Sequence, residues 1–374
     1  MKGKCLVIGG GFAGMSAAIM LARGGWQVDL IEMDPDWRNY GAGISLHGAT
    51  LRVFLALGIL DRFCQTGAVT DGLVIRNPAD DSQIARLPTP PAPGLALPGN
   101  AAIMRPTLAA ILSEATRAAG VRVRLGRSFT TLTETADGVQ VAFTDGSTGL
   151  YDAVVGADGL YSATRAAIMP GAPSPTYVGQ AVWRAELPTP AEVETLTMWM
   201  VRGLKAGINP VDRTRSYIFI TEDQPERARI PAEALLPAMR ALLDQFPSPV
   251  LTAVKNGLGP QSQIIYRPLE KLLLPLPWHR GRVMLIGDAA HATTPHLGAG
   301  ACIGMEDGVV LAEELAKADD VATAFAAHEA RRWDRCRMVV ENSARLSEIE
   351  VTGGSHQEHQ AIMGRSVVAL IDPI

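Results

Sequence analysis

The chain has 374 residues, with 34 Lys+Arg against 38 Asp+Glu, a formal charge of −4, 47% apolar and 19% charged residues. That balance excludes a general nucleic-acid binder, which needs a basic excess to neutralise phosphates. It also excludes a disordered chain, and the length suits one large or two medium domains. Cys5, Cys64, Cys302 and Cys336 stand without CxxC spacing. No disulfide framework, redox dithiol or metal site is therefore expected, and a cytoplasmic protein fits. No stretch reaches the roughly 18 consecutive apolar residues of a membrane span. Lys2 and Lys4 precede an apolar run in the manner of a signal peptide, but Gly9, Gly10, Gly11 and Gly14 interrupt it and have a better use.

In chain order, residues 4–8 predict a short buried strand, 15–23 a helix ended by Gly24-Gly25, residues able to take positive φ, and 27–32 a second strand. Strand, helix and strand within about 30 residues form a βαβ unit, which demands a parallel sheet. Residues 101–119 read as a helix with Arg105-Pro106 near its first turn. Strands follow at 131–135 and 139–143 about an Asp137-Gly138 turn, and at 152–156. From about 174 to 270 alternating stretches such as 197–201 and 216–220 predict antiparallel strands with one covered face. A buried strand at 282–286 and helices over 304–317 and 322–348 close the pattern, while the segment beyond 352 has no clear periodicity. The expected fold class is α/β: a Rossmann-type dinucleotide domain with an inserted antiparallel β-sheet substrate domain and a C-terminal helix. The expected boundaries are 1–70, 100–172 and 272–350 for the first domain, 73–99 and 173–271 for the second, and 351–374 for a tail.

Gly9-Gly10-Gly11-Phe12-Ala13-Gly14 is a GxGxxG that follows a strand and opens a helix, with Glu32 eighteen residues after Gly14. Gly9 serves the tight turn, Gly11 admits a pyrophosphate to the helix N-terminus, and Gly14 allows close helix–strand packing. A carboxylate at Glu32 accepts both ribose hydroxyls and repels a 2′-phosphate, which favours FAD or NAD over NADP. Gly287-Asp288 at a later strand end offers an acceptor for a polyol. Gly298 and Gly300 let main-chain N–H groups face a ligand where the next helix begins. NAD has no ribityl chain to use that second site, so FAD is the better reading. Asp158-Gly159 alone is an ordinary turn.

Together these stretches resemble the fingerprints of the single-component flavoprotein aromatic hydroxylases, the group of para-hydroxybenzoate, salicylate, urate and 6-hydroxynicotinate hydroxylases. The matching residues are the GxGxxG with Glu32, Gly41-Ala42-Gly43-Ile44-Ser45, Arg105 with Leu108, Asp152 through Arg165, and Gly287 through Asp307. The resemblance implies a cofactor site of Gly9, Gly11, Phe12, Ala13, Gly14, Glu32 and Met33 for the adenosine and pyrophosphate. Ser45, Arg105 and Asp288 would hold the middle of FAD. Gly298, Ala299, Gly300 and Ala301 would lie along the pyrimidine edge. Phe129 would flank the adenine, with a core aromatic as the alternative, and Asp158 would lie between FAD and the nicotinamide donor. The sequence departs from the family at Asn39, where an arginine is usual, and at Ala299, where a glutamine is usual.

The resemblance further implies that NADH or NADPH reduces the flavin and that molecular oxygen forms a flavin C4a-hydroperoxide, which hydroxylates an electron-rich ring. That intermediate needs an apolar, closable site. Candidate catalytic groups are His296, a neutral imidazole able to accept a phenolic proton, Tyr217, and His47. Tyr217 has a core role as its alternative. Lys205, where the urate enzymes place an arginine, is the candidate substrate-binding cation, and His291 is assigned to structure. A small aromatic or N-heteroaromatic substrate is expected, with no nucleic acid or membrane partner, in a monomer or homodimer. An FAD oxidase or dehydrogenase and a non-catalytic FAD-binding sequestration protein remain the alternatives.

Overall fold

A computed structural model describes residues 2–38, 41–91 and 94–374. The βαβ unit is present as β1 (Lys4–Ile8), α1 (Phe12–Arg23) and β2 (Gln27–Glu32), followed by β3 (Gly43–His47), α2 (Gly48–Ala56) and α3 (Leu60–Thr66). Strands β4 (Ala68–Thr70), β5 (Leu73–Arg76), β6 (Gln83–Leu87) and β7 (Asn100–Met104) lead into α4 (Arg105–Ala118). Then come β8 (Arg122–Leu125), β9 (Phe129–Thr135), β10 (Gly138–Phe143), β11 (Thr148–Tyr151), β12 (Ala153–Gly156) and α5 (Ala163–Ile168). The central block holds β13 (Thr176–Pro188), β14 (Leu196–Val201), β15 (Leu204–Pro210), β16 (Arg215–Asp223), α6 (Ala232–Leu243), α7 (Pro249–Gly257) and β17 (Ile264–Lys271). The chain ends with β18 (His279–Arg280), β19 (Val283–Leu285), α8 (Asp288–His291), a 3₁₀ turn (Pro295–Leu297), α9 (Gly300–Lys317), α10 (Val321–Thr352) and α11 (His356–Ile371).

The first sheet runs β18-β19-β12-β1-β2-β8, parallel from β19 to β8. Its strands Leu6-Val7-Ile8, Val154-Val155 and Met284-Leu285 are buried on both faces, and share their core with α1 and with Val139, Val141, Phe143 and Tyr151 of β10 and β11. The second sheet runs β17-β13-β16-β15-β14-β5-β6, so residues 73–87 and 176–271 share one seven-stranded sheet, antiparallel except between β14 and β5. One face of it carries Trp183, Ile208, Ile218 and Ile220, which pack on Met239, Leu243 and Leu251 of α6 and α7. The opposite face carries Tyr217 and Phe219, which pack on Ala42, Ala102 and Met104. Among the described residues no helix is long and apolar enough to cross a membrane.

One local expectation is corrected and others are completed. Residues 100–104 pair with β3 and β4 as a strand, so the helix expected from 101 begins at Arg105. The apolar run Ala101–Met104 is fully buried, and periodicity does not tell a buried strand from a buried helix. At the end of α1 it is Gly25 that takes positive φ, at +89°, as the Gly24-Gly25 pair allows, with Gly24 at −73°. The central block contains two helices besides its strands. The C-terminal segment is a helix whose last carbonyls are met by two arginines. Arg52 donates to Leu370 and Asp372, and Arg335 to Ala369 and Leu370, which places positive charge at the negative helix end.

A buried ionic network joins α8, α9 and α10. Asp307 accepts from the Gly287 amide at 2.8 Å, His291 Nε2 at 2.6 Å and Arg332 Nε at 2.8 Å. Glu306 pairs with Arg332 at 2.9 Å and Arg335 at 2.7 Å. Burial alone raises a carboxyl pKa, but His291 and Arg332 outweigh it and hold Asp307 well below the usual carboxylate range. The folded value lies below the unfolded value of about 3.9, so this contribution is complete above that pH and is lost as pH falls through the folded value. Asp307→Asn removes the anion shared by His291 and Arg332 and leaves Arg332 only Glu306, which Arg335 also uses; it is expected to cost about 3–5 kcal/mol of stability. Denaturant unfolding of the two proteins at pH 7 measures it, and equal midpoints would refute it.

Candidate active site

The glycine turn after β1 is built by close approach. Gly9 has φ +106°, and a Cβ there would lie 2.4 Å from the Ala157 carbonyl oxygen. A Cβ on Gly14 would lie 2.0 Å from the Gly9 carbonyl oxygen. Gly11 differs from both: nothing lies within 4 Å of its Cβ position, so the N-terminus of α1 is open there. Glu32 sits beside this opening. Its Oε2 accepts from the Gly10 amide at 2.7 Å and its Oε1 from the Asp34 amide at 2.8 Å, which leaves each oxygen a lone pair for a ribose hydroxyl. Met33 is exposed and Phe12 is buried beneath the Arg105 guanidinium, 5.1 Å from its ring centroid. Arg127, rather than Phe129, brings the backbone of the neighbouring segment to Glu32, donating to its carbonyl at 2.9 Å. Phe129 opens β9 opposite Phe143, in the three-stranded β11-β10-β9 sheet.

Ala13 links the turn to the second motif, because a Cβ on Gly287 (φ +59°) would lie 2.8 Å from the Ala13 methyl. Asp288 follows at the start of α8. Solvent reaches it although protein encloses it on most sides, and no hydrogen-bond partner holds its carboxylate among the described residues. Burial raises its pKa, and His291 and Arg105 oppose that rise. Arg105 lies against Gly41, where a Cβ would be 2.5 Å from the arginine Cδ, and its amide donates to Ala42 at 3.0 Å. Past the 3₁₀ turn, Gly298 takes φ +61°, Ala299 caps α9 and is buried, and Gly300 with half-buried Ala301 opens the helix. These residues fit FAD: an open helix N-terminus for the pyrophosphate, an unpartnered acid for the ribityl chain, and a cation between them. Asp158 has less to offer. Its oxygens accept from Ser162 Oγ at 2.5 Å and from Thr164 N and Oγ1 at 2.8 and 2.9 Å, an arrangement that fixes the start of α5. Asn39, the departure from the family pattern, lies outside the described residues.

The Tyr217 ring crosses Gly43, where a Cβ would be 1.9 Å from the ring, so the Gly-Ala-Gly loop and the seven-stranded sheet meet at this residue. The Tyr217 hydroxyl lies 2.7 Å from Ser45 Oγ, which also accepts from Asn209 Nδ2 at 2.8 Å. Ser45 thus ties the sheet to β3, a bond that no local sequence pattern signals. Burial raises the Tyr217 pKa and keeps the phenol protonated. Phe219 lies over Gly207, whose Cβ would be 2.2 Å from the ring.

The histidines are used differently from expectation. His47 Nε2 meets the Leu297 carbonyl, fixing the turn that precedes Gly298, and burial lowers its pKa, so it is neutral. His296 is buried, with Nδ1 2.9 Å from Thr294 Oγ1 and Nε2 3.3 Å from Glu350 Oε2. Neither nitrogen is turned toward the Tyr217 hydroxyl group of contacts. Lys205 Nζ lies 2.7 and 2.9 Å from the two oxygens of Glu350, so the expected substrate-binding cation is in an ion pair. Glu350, from the last turn of α10, and His359 of α11, 3.1 Å from it, were not expected from the sequence.

The family model described as the FAD binding domain matches residues 2–343, and the chain belongs to that family. It is a flavin-dependent monooxygenase with FAD as its cofactor. Aurachin C monooxygenase/isomerase from Stigmatella aurantiaca is 30% identical over 350 residues, covering 92% of this chain and 88% of that protein. FAD-dependent urate hydroxylase from Klebsiella oxytoca is 28% identical, covering 98% and 96%. The crystal structure of Klebsiella pneumoniae HpxO complexed with FAD and uric acid superposes with a TM-score of 0.81 at 26% identity, covering 99% of this chain and 96% of that one. Asp288→Ala is expected to weaken FAD retention by about tenfold or more, the loss of one or two charge-assisted hydrogen bonds. Equilibrium dialysis of the yellow protein measures this, and unchanged FAD affinity would remove Asp288 from the site.

Proposed function

We propose that the protein hydroxylates a small aromatic or N-heteroaromatic ring, with NADH or NADPH as electron donor and molecular oxygen as co-substrate. One oxygen atom enters the ring, the other leaves as water, and the donor's hydride supplies the two electrons. The observation that carries this reading is the meeting of Tyr217, Ser45 and Gly43 at the boundary between the FAD-type cleft and the aromatic sheet face. Bound FAD supplies the electron transfer and oxygen activation that no side chain here provides.

The chain's own residues have four tasks. Phe219 and Tyr217 give the ring an aromatic floor, with ring centroids 6.1 Å apart. The Tyr217 phenol, protonated and held by Ser45, which Asn209 holds in turn, orients a polar substituent by hydrogen bonding. His47 holds the Leu297 carbonyl and so fixes the turn before α9; the Gly298 amide is spent on Pro295 at 2.9 Å, which leaves the N-terminus of α9 at Gly300 to face one edge of the cofactor. Ala42, Met104 and Ile265 surround the aromatic pair with apolar atoms and keep water out. Tyr217 takes precedence over His296 as the group meeting substrate because it lies on the aromatic sheet face beside Phe219, whereas the His296 ring lies against Thr294 and Glu350.

The FAD-loaded protein is to be assayed for NADH and NADPH oxidation against phenols and hydroxylated N-heterocycles under labelled oxygen. One atom of label is expected per hydroxylated product, and donor oxidation without labelled product throughout the panel would refute the proposal. Tyr217→Phe is expected to lower kcat/KM by about 10- to 100-fold, the value of one hydrogen bond to a charged or developing charge. An unchanged kcat/KM would remove Tyr217 from substrate contact.

A further inference from the structure

The seven-stranded sheet presents two cations on the face that carries Tyr217. Strand register settles this, because directly paired residues share a face. Arg184 pairs with Phe219, which pairs with Gly207. Two residues along, Thr221 pairs with Lys205. Two residues the other way, Tyr217 pairs with Asn209. Arg184 therefore lies beside Phe219 and diagonal to Tyr217, while Lys205 lies on the far side of Phe219.

We propose that Arg184, and not Lys205, binds an anionic oxygen on the substrate, and that Glu350 decides between them by engaging Lys205. This rests on the function proposed above. The Lys205 ammonium is held by both oxygens of Glu350, with only 18% and 21% of the two side chains exposed. Lys205, His296 and His359 overcome the effect of burial on Glu350 and hold its carboxyl far below the usual range, so its negative charge is in place to engage Lys205. Arg184 has neither a hydrogen bond nor an ion pair among the described residues. The ionisable groups that act on it are the Tyr217 phenol and two cations, Arg105 and Arg267. An unpaired guanidinium retains its charge even when burial lowers its pKa, and its planar fork matches a carboxylate in two hydrogen bonds. Arg267 and Arg105 add positive potential around it, which deepens the attraction for an anion. Glu350 and His359 lie beyond residue 343, where the family match ends, so this selection belongs to the C-terminal segment of this chain.

The test titrates FAD-loaded protein with 3-hydroxybenzoate and 6-hydroxynicotinate, and with the carboxamide of each, following the flavin absorbance change. The wild type is expected to bind the acids at least about tenfold more tightly than the amides, and Arg184→Gln to abolish that preference. Arg184→Lys, which keeps the charge without the fork, is expected to retain part of it. In the Arg184→Gln/Glu350→Gln double variant the freed Lys205 ammonium is expected to restore preference for acids. A wild type without acid preference overturns the proposal. So does an Arg184→Gln protein that retains it, or one that loses FAD instead, since Arg184 would then serve the cofactor. Acid-selective binding with no hydroxylated product would fail the function proposed above and leave this site standing. Equal hydroxylation of acids and amides would do the reverse.

Discussion

The carboxylate of Asp307 fixes the geometry on which the site depends. It is fully buried, and its three short contacts reach three different parts of the chain: the amide that ends β19, the imidazole of α8 and the guanidinium of α10. A buried anion is stable only where its lone pairs are filled. The condition works in both directions here. The carboxylate needs those donors, and the Gly287 amide can be one of them only if the chain turns sharply after β19. Asp288 is the next residue, so the acid that faces the cleft is placed by the acid that does not.

Helix α9 brings Asp307 to that point, and α9 in turn is placed by absent side chains. A Cβ on Gly308 would lie 2.4 Å from the Ala17 nitrogen, and one on Gly304 would lie 3.4 Å from the Ala13 methyl. Helices α1 and α9 therefore touch backbone to backbone. The helix that begins at the open Gly11 and the helix that begins at Gly300 run from one side of the cleft, with both N-termini available to a dinucleotide. One long ligand can use two helix ends only if the helices are packed this closely.

Much of this was legible from the chain alone, for a physical reason. The glycine turn, Glu32, Gly287-Asp288 and Gly298–Ala301 are sites where backbone does the work, and backbone requirements leave glycines at fixed spacing. The strands of the parallel sheet were legible as short apolar runs. Residues 100–104 were not, because a buried strand of Ala, Ile and Met carries no alternation. Helix α6 has Pro231 before it and Pro237 within it, which mask its period. Least legible were the partners supplied from far away in sequence. Lys205 read as a free cation because Glu350 lies 145 residues later, in a polar stretch that resembles a solvated helix end. His296 read as a base for the same reason, since nothing local announces the carboxylate 3.3 Å from its ring.

The same distance in sequence explains how one scaffold changes its preference without changing its core. The antiparallel sheet must keep its register, so residues 184, 205, 209, 217 and 219 stay on one face whatever the substrate. The C-terminal segment is under no such constraint. It is held by helix packing, by Arg52 and Arg335 on its last carbonyls and by Arg345 on Glu358 of its first turn, none of which fixes the register of the sheet. A carboxylate placed there cancels one cation of the sheet and leaves another. The cost is small, because the ion pair keeps partial access to water and both charges were already present. Selectivity for charge can thus be altered at the end of α10 and the start of α11 while Asp307, the glycine turn and Tyr217 keep the positions that the chemistry needs.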